Sequence, residues 1–448
     1  MHRLVSGNLR EWKDSPSRKP LILRGARQVG KTYSLQEFGR GHFSSAFTFN
    51  FETTPDLAQV FKKDLDPNRI IEELGLTVRK KIDPTTDLII FDEIQACSQA
   101  LTSLKYFAEI CPNQAVCAAG SLLGLQLNPG SFPVGKVDFL DLHPCTFFEF
   151  LGALNKSHLQ KILSECRPRL EISPIHHEEL WHNLKLYFIC GGLPEVILKF
   201  EGGLKSSLSD AFQQARAIQL ALIKSYLADV AKHSGKVNSM HIERVWQSVP
   251  RQLSQSHDLS TAKFKFRDVI PGIQGYGRMV GPIDWLMKAG LILRLPIANS
   301  AKEPLSAYTK ENMFKLLMFD VGILGALSDL DPQTLFNYTF GTYKGYFAEN
   351  FVCQELTAKN SAKLYAWQEG TSEIEFLMRD KTGVFPIEVK SGNRTKVQSL
   401  RVFSQKYKPH RKVIVSGKMP YFDLNTKTEF WPMYGVQNIE QAVNGIDE

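Results

Sequence analysis

Apolar positions along the chain fall into short runs separated by polar turns, and the spacing inside each run predicts its element. Leu21-Ile-Leu23 is a compact apolar run that reads as a buried strand, and Tyr33 to Phe38 continues from it as a helix. Leu4 to Trp12 precedes them as a short helix, followed by the polar turn Asp14 to Pro20. Ala46-Phe-Thr-Phe-Asn-Phe51 alternates aromatic and polar residues, the period of a strand. Between Pro67 and Lys81, Ile70, Ile71, Leu74 and Val78 recur on one face of a predicted helix. Asp87-Leu-Ile-Ile-Phe-Asp-Glu93 sets four apolar residues before two acids, the pattern of a buried parallel strand whose carboxylates emerge at its C-terminal end. Ala115 to Ser121 is a further apolar segment. Strands alternating with helices predict a doubly wound α/β sheet.

The pattern changes beyond residue 200. From Ser206 to His233, Ala211, Phe212, Ala215, Ile218, Leu222, Ile223 and Tyr226 mark one buried helical face. Asn238 to Leu253 reads as a second helix. Pro282 to Leu295 reads as a helix ending at Gly290 and passing into a strand, Leu291–Ile297, with a partner near Met313–Phe319. Helices followed by a strand pair suggest a winged-helix module, a class that often sets its last helix in the DNA major groove. Lys263, Lys265, Arg267, Arg278 and Lys288 supply local positive charge; packing inside a larger machine is the other use of such modules. Last come a helix, Lys344 to Leu356, strands at Leu364–Trp367, Glu373–Met378 and Val384–Val389, a helix at Val397–Tyr407 and a strand at Lys412–Ser416. The expected division is therefore 1–200, 201–335 and 336–448.

Candidate chemistry begins where the first strand ends. Gly25-Ala-Arg-Gln-Val-Gly-Lys-Thr32 fits G-x-x-x-x-G-K-[ST] between a strand and a helix, the context a phosphate-binding loop requires. Gly25 and Gly30 would let the backbone of Ala26, Arg27, Gln28 and Val29 turn its N–H groups onto phosphate oxygens, with Tyr33 at the start of the helix. Lys31 would reach the β- and γ-phosphates of a nucleotide, and the Thr32 hydroxyl would join an Mg²⁺ shell. Asp92 is the second expected Mg²⁺ ligand, and Glu93 the base that activates water. A charged helix cap is the alternative use of those two acids. Ser121, at a strand tip, could sense the γ-phosphate or cap the following turn.

Composition narrows the setting. A chain of 448 residues with a formal charge of +8 fits a soluble protein, with an anionic partner only mildly favoured. Seven scattered cysteines without a C-x-x-C pair point to reduced thiols, and the first residues lack the apolar core of a signal peptide. No apolar run is long enough to span a bilayer, so a cytoplasmic protein without a membrane partner is expected. His176-His-Glu-Glu-Leu-Trp-His182 imitates a zinc-protease helix, but His177 and His182 are five apart where both ligands need to be four apart.

Taken together, Pro20–Thr32, Asp87–Glu93, Ala119–Leu123, Leu142–Phe150, Tyr187–Glu195, Gly345–Leu356 and Pro386–Gly392 resemble the AAA+-type ATPases of bacteria and archaea that carry a C-terminal domain of unknown function. The resemblance implies ATP binding and hydrolysis. Gly192-Leu-Pro194 is similar to a G-x-P element in related switch ATPases, which implies Pro194 against adenine; a glycine turn before a helix is the plainer account. Where the family has Gly-Arg, this chain has Gly135-Lys136, which keeps the charge and loses the bidentate fork, so no arginine finger is assigned. Glu349, Glu375, Glu388 and Lys390 resemble the restriction-endonuclease-like pattern, in which carboxylates hold Mg²⁺ and a lysine supports the attacking water. Glu375 stands where that pattern has aspartate. The basic run Lys390, Arg394, Lys396, Arg401, Lys406, Lys408, Arg411, Lys412 and Lys418 would suit nucleic acid or be a solvated surface. The expected function is an Mg²⁺-dependent ATPase coupling nucleotide state to its C-terminal half, with DNA, a protein or another copy of the chain as partner. An ATP-regulated DNA nuclease and a slow nucleotide switch on an inactive nuclease-like scaffold are the alternatives.

Overall fold

The computed structural model describes residues 1–121, 133–255, 263–338, 343–359, 363–391 and 398–440. Leu122, Leu123, Gly392, Arg394, Lys396 and Val397, named above, lie outside them. Two compact units are present: Met1–His143 with Lys288–Gly290, and Pro144–Met287 with Leu291–Glu448.

In the first unit, β1 (Leu21–Gly25), β2 (Ser45–Asn50), β3 (Asp87–Asp92), β4 (Ala115–Ser121) and β5 (Asp138–Asp141) form a sheet in the order β2-β3-β4-β1-β5. Every pairing in it is parallel. Helices α1 (Val5–Asp14), α2 (Lys31–His42), α3 (Pro67–Thr77) and α4 (Ser98–Ile110) complete the α/β arrangement expected of a P-loop fold. Ile89 and Val116 of the continuous apolar runs are fully buried, as strands covered on both faces require. Aromatics fill one side: Phe51, Phe61 and Phe107 surround Phe91, with Phe61 edge-on to it at 5.7 Å. The helix expected from Pro67 to Lys81 stops at Thr77. Arg79 takes a left-handed φ of 53°, and Lys80 N–H donates back to Gly75 O at 3.0 Å, closing the helix end before the apolar pattern runs out. Strand β5 was not anticipated; its four residues alternate between half-buried and exposed, too short a pattern to read.

The second unit opens with α5 (Phe147–Ala153), α6 (Ser157–Glu165), α7 (Pro174–Cys190), α8 (Pro194–Leu204), α9 (Leu208–Ser234), α10 (Lys236–Gln255) and α11 (Val280–Lys288). It continues with β6 (Ile292–Ala298), β7 (Thr309–Met318), α12 (Val321–Leu327), α13 (Pro332–Phe336) and α14 (Tyr343–Lys359). Then follow β8 (Tyr365–Glu369), β9 (Ser372–Asp380), β10 (Gly383–Lys390), α15 (Gln398–Tyr407), β11 (Val413–Ser416), β12 (Tyr421–Asp423) and β13 (Thr428–Pro432). Among the described residues the strands make one sheet, β12-β13-β11-β10-β9-β8-β6-β7. The strand pair expected as a wing forms as an antiparallel hairpin, and through β6 it pairs in parallel with β8, Ile297 opposite Ala366. Strand β7 begins at Thr309, not near Met313, because its first four residues are polar and leave no apolar signal. Trp367 stacks edge-on against Phe403 of α15 at 5.0 Å, over Leu377 and Leu400.

Helix α14 buries a polar face. The Asn350 side chain bonds both the N–H and the carbonyl of Met318, at 2.7 and 3.0 Å, and Gln354 Oε1 accepts from Val321 N–H at 2.9 Å. Glu355 Oε1 accepts from Phe147 N–H, at the start of α5, at 2.9 Å. The Glu-Asn and Gln-Glu pairs within Gly345–Leu356 thus tie β7, α12 and α5 to one helix. No helix among the described residues is long and apolar enough to cross a membrane.

Candidate functional site

The loop between β1 and α2 is shaped by its glycines. A Cβ on Gly25 would lie 2.3 Å from Leu142 O, and Gly30 has a φ of 92°, so neither position admits a side chain without strain. Gln28 also turns left-handed, at 63°. Arg3, which the motif gives no reason to suspect, supports the loop by donating to Val29 O and His143 O, both at 2.7 Å. Ala26 and Val29 are buried, Arg27 is half-buried, and Tyr33 is exposed with its hydroxyl accepting from the Met1 amine.

Lys31 is only 7% exposed, and its ammonium donates to Gly25 O at 3.2 Å and Ala26 O at 2.8 Å. Burial pulls its pKa down to about 8, although Glu93 and Asp92 act against the shift. This is a desolvated cation whose hydrogen bonds end on uncharged carbonyls, beside a helix N-terminus: a donor set that suits an incoming phosphate. The next residue, Thr32, donates its hydroxyl to Asp92 Oδ1 at 2.8 Å. Asn50, at the tip of β2, donates to Asp92 Oδ2 at 2.8 Å while its own Oδ1 accepts from Glu52 and Thr53 N–H. Asn50 was not foreseen, since only the sheet order brings β2 beside β3. A hydroxyl and a fixed carboxylate facing each other fit an octahedral Mg²⁺ that keeps most of its water.

Glu93 leaves the strand in a left-handed conformation, φ 49° and ψ 45°, uncommon for a residue with a side chain. Gln95 donates its amide to Glu93 Oε2. Ser121 ends β4 opposite Gly25, so the strand between β1 and β3 carries its hydroxyl to the same sheet edge as the loop and Asp92. Ligands of open α/β sheets bind at that edge. Pro194 belongs to the second unit, where it is the first residue of α8. The turn before it is fixed by Asp320, whose Oδ2 accepts from Gly192 N–H at 2.6 Å, and by the Cys145 N–H donating to Gly192 O at 2.6 Å. Lys136 pairs with Glu109 at 3.0 Å.

The nuclease-like residues converge around a lysine the sequence did not single out. Lys315 of β7 is 1% exposed, and its Nζ lies 2.7 Å from both Glu349 Oε1 and Glu373 Oε1. Burial alone would lower its pKa, but Glu349, Glu373 and Glu375 outweigh that and hold it above the usual lysine value. Lys390 pairs with Glu388 across the same face of β10, and Glu375 Oε2 accepts from Val389 N–H at 3.1 Å. Burial, then Glu388, pushes the Glu375 carboxyl well up, and burial also raises Glu388. Lys315 did leave a signal, a charge inside the apolar run Phe314-Lys-Leu-Leu-Met318. The histidines of α7 have separate partners: His176 meets Ser173, His177 meets Tyr434 and His182 packs on Phe336.

Residues 17–151 match a family described as an AAA domain. Residues 182–334 and 344–435 match two domains of unknown function, DUF8612 and DUF4143. No curated protein matches. Among solved structures, the Walker-type ATPase PABY2304 of Pyrococcus abyssi is 14% identical, over 72% of this chain and 94% of that one, with a TM-score of 0.44. The Aeropyrum pernix ORC1 protein, solved in complex with DNA, is 12% identical over 73% and 93%, with a TM-score of 0.31. The Thermotoga maritima RuvB Holliday junction branch migration motor is 12% identical over 65% and 89%, also at 0.31. The chain carries an AAA-type P-loop ATPase domain followed by two domains of unknown function.

Proposed function

We propose that the chain is an Mg²⁺-dependent ATPase whose nucleotide state repositions its C-terminal half on a partner. The observation that carries this is the Thr32–Asp92 hydrogen bond beside the buried, carbonyl-bound Lys31. Residues 25–33 wrap the phosphates, and Lys31 trades its carbonyl partners for phosphate oxygens. Thr32 and Asp92 would hold Mg²⁺, whose charge would offset that on the transferred phosphoryl group. Glu93 takes the proton of the attacking water, and Ser121 steadies the γ-phosphate side. The charge of +8 favours an anionic partner such as DNA over another copy of the chain.

The test is ATP hydrolysis by the purified protein beside Lys31→Ala and Glu93→Gln. Phosphate release is expected to collapse in both, with ATP binding kept only in Glu93→Gln. Release from Lys31→Ala at the wild-type rate would sink the proposal. A specific contact favours a slow switch as the second reading: the Gln95 amide donates to one oxygen of Glu93, and that contact must be released before the oxygen can take a proton from water.

A further inference from the structure

The restriction-endonuclease-like pattern calls for a divalent ion among Glu349, Glu375 and Glu388, and the side chains present do not fit one. We infer that Lys315 is the resident cation of this cluster, its ammonium standing in the position a divalent metal would need between the carboxylates. Two carboxylate oxygens from different elements, Glu349 on α14 and Glu373 on β9, converge on Nζ at 2.7 Å each. Convergence of oxygens from separate elements is what a metal site provides, but Mg²⁺ needs them at about 2.0–2.1 Å in an octahedron. An ammonium held by hydrogen bonds excludes that shell.

The remaining members are engaged as well. Lys390 holds Glu388 Oε1, and the Val389 N–H holds Glu375 Oε2. Glu388 Oε2 is buried without a hydrogen-bond partner, which offers one ligand and not a coordination sphere. Among the described residues, no group of three or more His, Cys, Asp or Glu side chains is arranged to hold a metal ion. Lys315 lies on β7 opposite Leu295 of β6 and is 1% exposed, so its ammonium cannot leave the two carboxylates for water. A cation so enclosed and paired is a fixed part of the fold. The Lys315–Glu349 pair therefore ties the sheet to α14, the Lys315–Glu373 pair ties β7 to β9, and the cluster is not equipped for metal-dependent cleavage.

The experiment counts Mn²⁺ bound to nucleotide-free full-length protein, by electron paramagnetic resonance of the free ion. Wild type and Glu388→Gln are expected to bind the same number, because any ion held at the phosphate loop appears in both. Lys315→Met is expected to gain one site per chain, at least tenfold tighter than any additional wild-type binding, and Lys315→Met with Glu349→Gln to lose it again. A wild-type protein that loses one Mn²⁺ on Glu388→Gln overturns the inference, as does a folded Lys315→Met protein that gains none. Should Lys315→Met fail to fold, the wild-type and Glu388→Gln counts decide alone: equal counts uphold it and a lost ion overturns it.

Discussion

Among the described residues two lysines are buried, Lys31 at the start of α2 and Lys315 on β7, one in each unit, and they are held in opposite ways. Lys31 bonds uncharged carbonyls, and burial drops its pKa to about 8. Lys315 bonds two carboxylates, and its pKa is raised despite deeper burial. Desolvation penalises both ammonium groups; only the second has counter-charges in contact to offset it. The difference teaches that burial alone does not mark a lysine as functional. A cation with an unmet demand for an anion is prepared for a ligand, whereas one already neutralised belongs to the framework.

The contrast can be broken or sharpened by measurement. The largest effect is expected at the first site: Glu93→Gln should slow ATP hydrolysis by roughly 10²–10⁴-fold while leaving ATP affinity in place. Turnover within a few-fold of wild type would remove Glu93 as the base. Next, the same substitution should act differently on the two lysines. Lys315→Met strands Glu349 and Glu373 and should cost about 3–5 kcal/mol of stability in urea or guanidinium unfolding. Lys31→Met removes a desolvated charge with no carboxylate in contact and should stay within about 1 kcal/mol of wild type. Equal losses would erase the distinction.

A third measurement uses pH. If Lys31 binds phosphate it does so as the ammonium, whose folded pKa of about 8 lies below the ordinary lysine value. Below pH 8 the free protein already carries the proton, and above it binding must take one up. The ATP dissociation constant should therefore be flat from pH 6.5 to 7.5 and about tenfold weaker by pH 9. A flat profile through pH 9 would mean that Lys31 keeps an ordinary pKa. The smallest effect is at Gln95: Gln95→Ala frees Glu93 and should raise basal turnover by roughly two- to fivefold in a steady-state assay, a fraction of the contribution of the base itself. A drop would mean that Gln95 positions the base and does not restrain it.

How legible each site is in the sequence follows from how far apart its parts lie. The phosphate loop occupies eight consecutive residues, and strand β3 delivers Asp92 at the end of an unmistakable apolar run, so pattern alone reaches both. Asn50 escapes, because only the order β2-β3-β4-β1-β5 sets it against Asp92. The left-handed turn at Glu93 has no compositional cue. In the second unit, Glu349, Glu375, Glu388 and Lys390 follow a recognisable order of residue types, but Lys315 and Glu373 need the pairing of β6 with β8 to bring β7 near. A lysine inside an apolar strand was the available hint. Strands β12 and β13 mix polar and aromatic residues over only three and five positions and leave no clear period. Helix α14 was found but its buried polar face was not, since Asn350, Gln354 and Glu355 look like a solvated surface until their main-chain partners are known.

The parallel joint between β6 and β8 bears on how the protein can be dissected. The two domains of unknown function meet in sequence between residues 334 and 344, yet the sheet runs through that point without interruption. A fragment ending near 335 would leave β6 with an open edge, and one beginning there would leave β8 with another; such edges invite aggregation. Limited proteolysis should therefore release the piece from about Pro144 onward intact, and pieces cut near 335 should recover solubility only when refolded together.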